Sequence, residues 1–177
     1  MNRYFILCLM GLSLSLMAAE SLMPTKQATV GLNKALNALK IAGIRDIALP
    51  AVVPTPTANA HYFTSTALKP NRVDYSVSFD NTVDCRGAQY CSAGSFSTET
   101  QGNPTIYFDR ENQEITQKIS LDKGHSVYYT PSHAMGSFWP GRVEWRCGPK
   151  LYTLSWALAK NEEQSVLVKM ARSVHPC

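Results

Sequence analysis

Between Pro131 and Gly141 the chain reads Pro-Ser-His-Ala-Met-Gly-Ser-Phe-Trp-Pro-Gly, a connection dense in turn formers that also carries an imidazole, a thioether and two large aromatic rings. Large apolar groups in a loop either dock onto the body of the protein, the commoner fate of Trp and Phe, or take part in binding. With Tyr128 and His133 near it and Arg142 at the rim, an exposed Trp139 would stack a planar or sugar-like ligand or anchor a partner protein. Tyr128, His133, Trp139 and Arg142 are therefore the candidate ligand-binding residues.

Signatures of catalysis are sparse. The four histidines, His61, His125, His133 and His175, stand at no metal-ligand spacing, and no GxSxG, HExxH, GxGxxG or phosphate-loop motif occurs. No residue is assigned to a metal, to a cofactor or to catalysis on this basis. A triad built from separate loops is recognised in space rather than along the chain. The alternative reading is thus a secreted hydrolase with His133 or His125 as general base and Ser132 or Ser137 as nucleophile. Asp80-Asn81-Thr82-Val83-Asp84 offers oxygen ligands but lacks the Gly and the distal Glu of a calcium loop, and reads as a turn. Asp109, Glu111 and Glu114, beside Arg110, read as a solvated acidic loop.

The residues ahead of this chemistry set its compartment. Arg3, the apolar run Phe5 to Met17 and the small pair Ala18-Ala19 have the form of a secretory signal peptide, with cleavage after Ala19 or Ser21. The run is shorter than the roughly 20 residues needed to cross a bilayer, and no second apolar segment follows, so no membrane span is expected after cleavage. Cys8 leaves with the leader; Cys85, Cys91, Cys147 and Cys177 remain, an even number in an oxidising compartment, and read as two disulfides. Strand Leu151 to Leu158 advances about 26 Å, and the helix after it returns about 20 Å. That brings Cys177 back beside Cys147 and favours this pairing among the three possible, leaving Cys85 with Cys91 across a five-residue loop.

The elements that must hold the loop follow from periodicity. Gly31 to Ala42 places Leu32, Leu36 and Leu39 on one helical face, with Gly43 as its stop. A Pro-rich lead-in through Pro54 and Pro56 follows. Val73, Tyr75, Val77 and Phe79 alternate with polar residues, and further strands are expected at Ala93 to Thr98, Thr105 to Asp109, Ile115 to Leu121, Ser126 to Thr130, Arg142 to Arg146 and Leu151 to Leu158. Lys123-Gly124 and Cys147-Gly148-Pro149 read as turns between neighbours, so consecutive strands pair antiparallel. Asn161 with Gln164 reads as a capping box opening a helix from Glu162 to Val174, whose stripe of Leu167, Met170, Ala171 and Val174 faces the sheet. Trp145, Tyr152 and Trp156 fall in strands and read as core.

Composition bounds the function classes. With 45% hydrophobic and 17% charged residues in 177, the chain is an ordinary globular one rather than disordered or coiled-coil. Seventeen Lys+Arg against 13 Asp+Glu give +4 without a basic run, which excludes the electrostatic stripe of a nucleic-acid binder.

Tyr75 to Phe79 followed by Cys85-Arg86-Gly87-Ala88-Gln89-Tyr90-Cys91 and Gly94, the Leu49-Pro50 step, and Trp145 followed by Tyr152 form one pattern. Over most of the mature chain it resembles small exported bacterial proteins with a C-x-G-A-x-x-C loop and a Trp/Tyr C-terminal hairpin. The chain departs from it at His133 to Ser137, where that pattern carries a second pair of cysteines. The resemblance implies export and architecture and brings no activity.

The expected organisation is a leader at 1–19 and a single α+β domain at 20–177. Within it, 20–60 carries a helix and the Pro-rich lead-in, 61–160 a single mostly antiparallel sheet, and 161–177 the C-terminal helix and tail, with two disulfides. The expected function is that of an exported, periplasmic or extracellular, non-catalytic module. It would bind a protein or envelope ligand through loops at one sheet end. Beside the hydrolase stands a carrier of an apolar ligand, with a cavity between sheet and helix.

Overall fold

The computed structural model describes residues 21–56, 61–70, 74–121, 125–134 and 138–174. The first part runs β1 (Leu22–Pro24), α1 (Thr25–Ala28), β2 (Thr29–Val30), α2 (Leu32–Ile41), β3 (Val52–Pro54), β4 (Tyr62–Leu68), β5 (Tyr75–Asp80) and β6 (Ser92–Thr100). The second runs β7 (Gln117–Ser120), β8 (Ser126–Thr130), β9 (His133–Ala134), β10 (Phe138–Trp139), β11 (Gly141–Cys147), β12 (Lys150–Trp156) and α3 (Glu163–Arg172). Eight strands join in the order β2-β4-β5-β6-β12-β11-β8-β7, and only the short β2–β4 pair is parallel. β1–β3 and β9–β10 are separate two-stranded ribbons. The class is α+β with a mostly antiparallel sheet, as the alternation of the strands demands.

That alternation sorts the sheet into two unlike faces. Tyr75, Val77 and Phe79 of β5, Phe96 of β6, Val143 and Trp145 of β11, and Leu154 and Trp156 of β12 share one hydrophobic cluster with Leu39 of α2 and Val166, Leu167 and Met170 of α3. Each such side chain, fully buried, contributes roughly 1.5–3 kcal/mol, so both helices are held on the sheet by their apolar stripes. Trp156 lies directly over Gly94: a Cβ there would stand 2.3 Å from its ring, so only glycine lets the indole close onto the neighbouring strand. The Tyr75 hydroxyl donates to the Ala48 carbonyl and accepts from the Ala48 amide, both at 2.7 Å, and ties the segment after α2 to the sheet.

Several expected elements are shifted. α2 begins at Leu32, after Gly31 in the left-handed region (φ 82°). β6 and β11 extend beyond their expected ends, β12 starts one residue early and stops at Trp156 rather than Leu158, β7 is shorter than the segment expected there, and β8 spans Ser126–Thr130 as read. β4 was not expected; its exposed end and weak apolar alternation hide it. Thr105 to Asp109 forms no strand. There the Thr105 amide donates to Glu144 and the Tyr107 amide to the Thr116 hydroxyl, so side chains take the donors that a ladder would use. Asn161 is not the helix cap. The chain is already turning, with the amides of Glu162 and Glu163 on the Ala159 carbonyl, and the N-cap position falls on Glu162, without a side-chain cap.

The Cys85–Cys91 disulfide is formed, with Cα atoms 5.7 Å apart. Of the two disulfides expected, this is the one seen among the described residues; Cys177, the expected partner of Cys147, lies outside them, as do the leader at 1–19, Val73, the Lys123-Gly124 turn, Ser137 and His175.

Candidate functional site

On the face away from the helices the central residues of β5, β6 and β12 that are out of phase with the core are hydroxylic. Register carries them into rows. Ser65 of β4 stands opposite Ser78 of β5, Ser78 opposite Ser95 of β6, and Ser95 opposite Ser155 of β12. Ser155 stands opposite Arg142 of β11, and Arg142 opposite Thr130 of β8. The next row runs Ser76, Ser97, Thr153, Glu144 and Tyr128. With strands about 4.8 Å apart, four serines cross four neighbouring strands in a line.

Over these rows lies a cavity of about 380 Å³, within the range of small-molecule sites. Ser78, Ser95, Ser97, Thr153 and Ser155 form its floor. One wall is Gly87 and Gln89 of the disulfide loop, and the other is Tyr107, His133, Trp139, Pro140 and Arg142. The disulfide loop is fixed over the sheet by Asp80, which is 2% exposed and whose Oδ2 accepts from the Gly87 amide and the Ser78 hydroxyl, each at 3.0 Å.

The opposite wall is aromatic. β9 pairs with β10 so that Trp139 faces His133, with their rings 12° from parallel and centroids 6.5 Å apart; the Tyr107 ring is tilted 52° to that of His133, with centroids 6.0 Å apart. His133 Nδ1 lies 2.9 Å from the Pro131 carbonyl. A carbonyl only accepts, so Nδ1 carries the proton in this contact. Trp139 is 47% exposed, in contrast to the buried Trp145 and Trp156.

Two buried carboxylates hold this wall in place. Glu144 accepts from Arg142 Nη2 at 2.5 Å, from the Thr153 hydroxyl at 3.3 Å and from the Thr105 amide at 2.7 Å. It thereby fixes both the guanidinium and the start of the segment that brings in Tyr107. Arg142 Nη1 donates to the Tyr107 hydroxyl, and its guanidinium carbon lies 5.2 Å from the Tyr107 ring centroid. The Thr116–Thr130 hydroxyl pair, at 2.9 Å, pins the returning segment to β8.

Glu163, 1% exposed at the start of α3, accepts from the Tyr129 hydroxyl at 2.7 Å and from the Ser132 amide at 2.8 Å. Gly141 packs against the same carboxyl, where a Cβ would stand 2.2 Å from Cδ. Both ends of the 131–141 connection thus rest on one buried acid. Burial, with the Glu163 bond adding to it, pushes the Tyr129 hydroxyl far above its ordinary pKa, so it stays a donor.

Of the residues singled out from sequence, His133, Trp139 and Arg142 line this cavity together, while Tyr128 stands on the same face one row further on, with Lys118 Nζ 6.0 Å from its ring centroid. Ser132 is buried, and the described imidazoles bond backbone carbonyls or face solvent, so no His–hydroxyl pair of the hydrolase reading is formed among the described residues. Among those residues no group of three His, Cys, Asp or Glu is placed to hold a metal ion, and no helix is long and apolar enough to cross a membrane. Sequence reasoning missed Tyr107, Glu144, Glu163 and the serine rows. The available signal was the run of hydroxylic residues at the central out-of-phase positions of β5, β6 and β12: Ser76, Ser78, Ser95, Ser97, Thr153 and Ser155. Compared with family models, curated proteins and solved structures, the chain matches none.

Proposed function

We propose that the protein is an exported, non-catalytic binding module whose ligand lies in the cavity over the serine rows, against Trp139. The observation that carries this reading is a half-exposed indole, held by a two-stranded ribbon beside His133, at the edge of a 380 Å³ cavity whose walls are fixed by buried carboxylates. Preorganised walls lower the entropic cost of binding. An aromatic ring left in solvent gains from a ligand what the core gives the other two tryptophans. The signal-peptide form of residues 1–19 and the Cys85–Cys91 disulfide support a location outside the cytosol, and in this reading a second bridge joins Cys147 to Cys177. The hydroxylic floor suits a polar ligand rather than the apolar cargo of a carrier.

Trp139 is the exposed one of three tryptophans, so quenching of intrinsic fluorescence by acrylamide reports its cover. Four probes are added separately at millimolar concentration: cellohexaose, adenosine, palmitate and tetra-alanine. At least one is expected to protect Trp139 and to shift the amide resonances of Ser95, Ser97 and Ser155, with Trp139→Ala abolishing the resonance shifts. If no probe protects, or if the shifts map elsewhere, the reading fails.

A further inference from the structure

Resting on that reading, we infer that the ligand is an uncharged oligosaccharide of neutral hexose or N-acetylhexosamine units. The argument is one of chemical matching. Ala93, Gly94 and Ala157 also line the cavity, and the polar side chains of its floor are all hydroxyls, which both donate and accept, as do those of a neutral sugar. Ser95 and Ser97 are two residues apart on one strand face, roughly 6.6 Å along it. Among the described residues their hydroxyls neither give a hydrogen bond to another side chain nor take one, which leaves both pointed at the cavity for a ligand.

Charge complementarity decides against the competitors. Arg142 is the one Lys or Arg in the lining, and its guanidinium is already matched by the Glu144 carboxylate and the Tyr107 hydroxyl, so an anionic ligand finds no free countercharge. A fatty chain would desolvate the serine floor without returning its hydrogen bonds, at a cost for each group. A nucleobase would stack on Trp139 but would use few of the hydroxyls. A pyranose ring presents an apolar C–H face to the indole and hydroxyl edges to the serines, and so uses both surfaces.

The test is calorimetric titration of the full mature protein with cellohexaose, maltohexaose and chitohexaose, and with adenosine, palmitate and tri-galacturonate as the contrasting probes. At least one neutral oligosaccharide is expected to bind while tri-galacturonate does not, and the preferred one of the three identifies the source of the sugar. Ser95→Ala/Ser97→Ala is expected to weaken it about tenfold, from two lost hydrogen bonds. The melting temperature should hold, because both side chains lie outside the core. Trp139→Ala is expected to weaken it by at least about tenfold. If adenosine, palmitate or tri-galacturonate binds at Trp139 and no neutral oligosaccharide does, the sugar inference falls and the binding reading stands. If nothing binds there, both fall. Full affinity in the folded Ser95→Ala/Ser97→Ala variant also overturns the inference.

Discussion

Glu144→Gln keeps the shape of a side chain that is 3% exposed and removes its charge and one acceptor. The amide fits neither way round. With its nitrogen at the Oε2 position a donor faces the Thr105 amide, and at the Oε1 position it faces the Arg142 guanidinium and displaces the acceptor used by Thr153. Either way a buried donor loses its partner, at about 1–3 kcal/mol. Arg142, 21% exposed, loses its counter-charge as well, so a total of about 2–4 kcal/mol is expected. For a domain of this size that lowers Tm by roughly 5–15 °C.

The assay is thermal unfolding followed by circular dichroism at pH 7, on Glu144→Gln, Arg142→Met and the double variant. In the double variant the glutamine carbonyl turns to Thr105 with no cation opposing its nitrogen. The two losses should therefore fall short of additive by about 1 kcal/mol or more. Additive losses, or a Glu144→Gln melting temperature within about 1 °C of the parent, would refute the assignment of Glu144 as the clamp of the Tyr107–Arg142 wall.

Three further outcomes follow from the same contacts. Glu163→Ala removes the acceptor of Tyr129 and Ser132 and opens space beside Gly141; a loss of about 3–5 kcal/mol in urea unfolding is expected, with Trp139 more accessible to acrylamide, and unchanged quenching would sink its positioning role. Tyr75, Tyr129 and Tyr152 all have raised pKa values, burial being the main cause in each. Above their ordinary value near pH 10 the unfolded chain ionises while the native one holds its protons, so the tyrosine contribution to stability is constant below pH 10 and falls above it by up to about 1.4 kcal/mol per pH unit for each tyrosine. A urea midpoint unchanged between pH 8 and 11 would contradict this. Removing the Cys85–Cys91 bridge by Cys85→Ser/Cys91→Ser should cost about 2 kcal/mol and broaden the Gly87 amide resonance, which now donates to Asp80; a sharp, unshifted Gly87 signal would show that the bridge does not hold that wall.

Several features were legible along the chain because they are properties of neighbouring residues. The period of two at Tyr75–Asp80 and the stripe on α3 name their buried faces at once. The spacing of Cys85 and Cys91 makes their loop local, and the loop at 131–141 announced His133, Trp139 and Arg142 by composition. The sequence alone also decided that Trp145, Tyr152 and Trp156 are core, since each falls in phase with the strand that carries it. It misread Thr105 to Asp109 because a β-like composition does not say whether a ladder partner or a side chain will take the amides.

What only the tertiary structure decided is which distant residues share a row or a clamp. Ser78, Ser95 and Ser155 become neighbours through the registers of β5, β6 and β12, and register is set by turns and packing far from the serines themselves. Likewise Glu163 reads as an ordinary acidic helix start. Only the approach of α3 to β8 and β11 turns its carboxylate inward to carry both ends of the loop that presents Trp139. Periodicity depends on a few consecutive residues, whereas a site on a sheet depends on contacts between segments tens of residues apart.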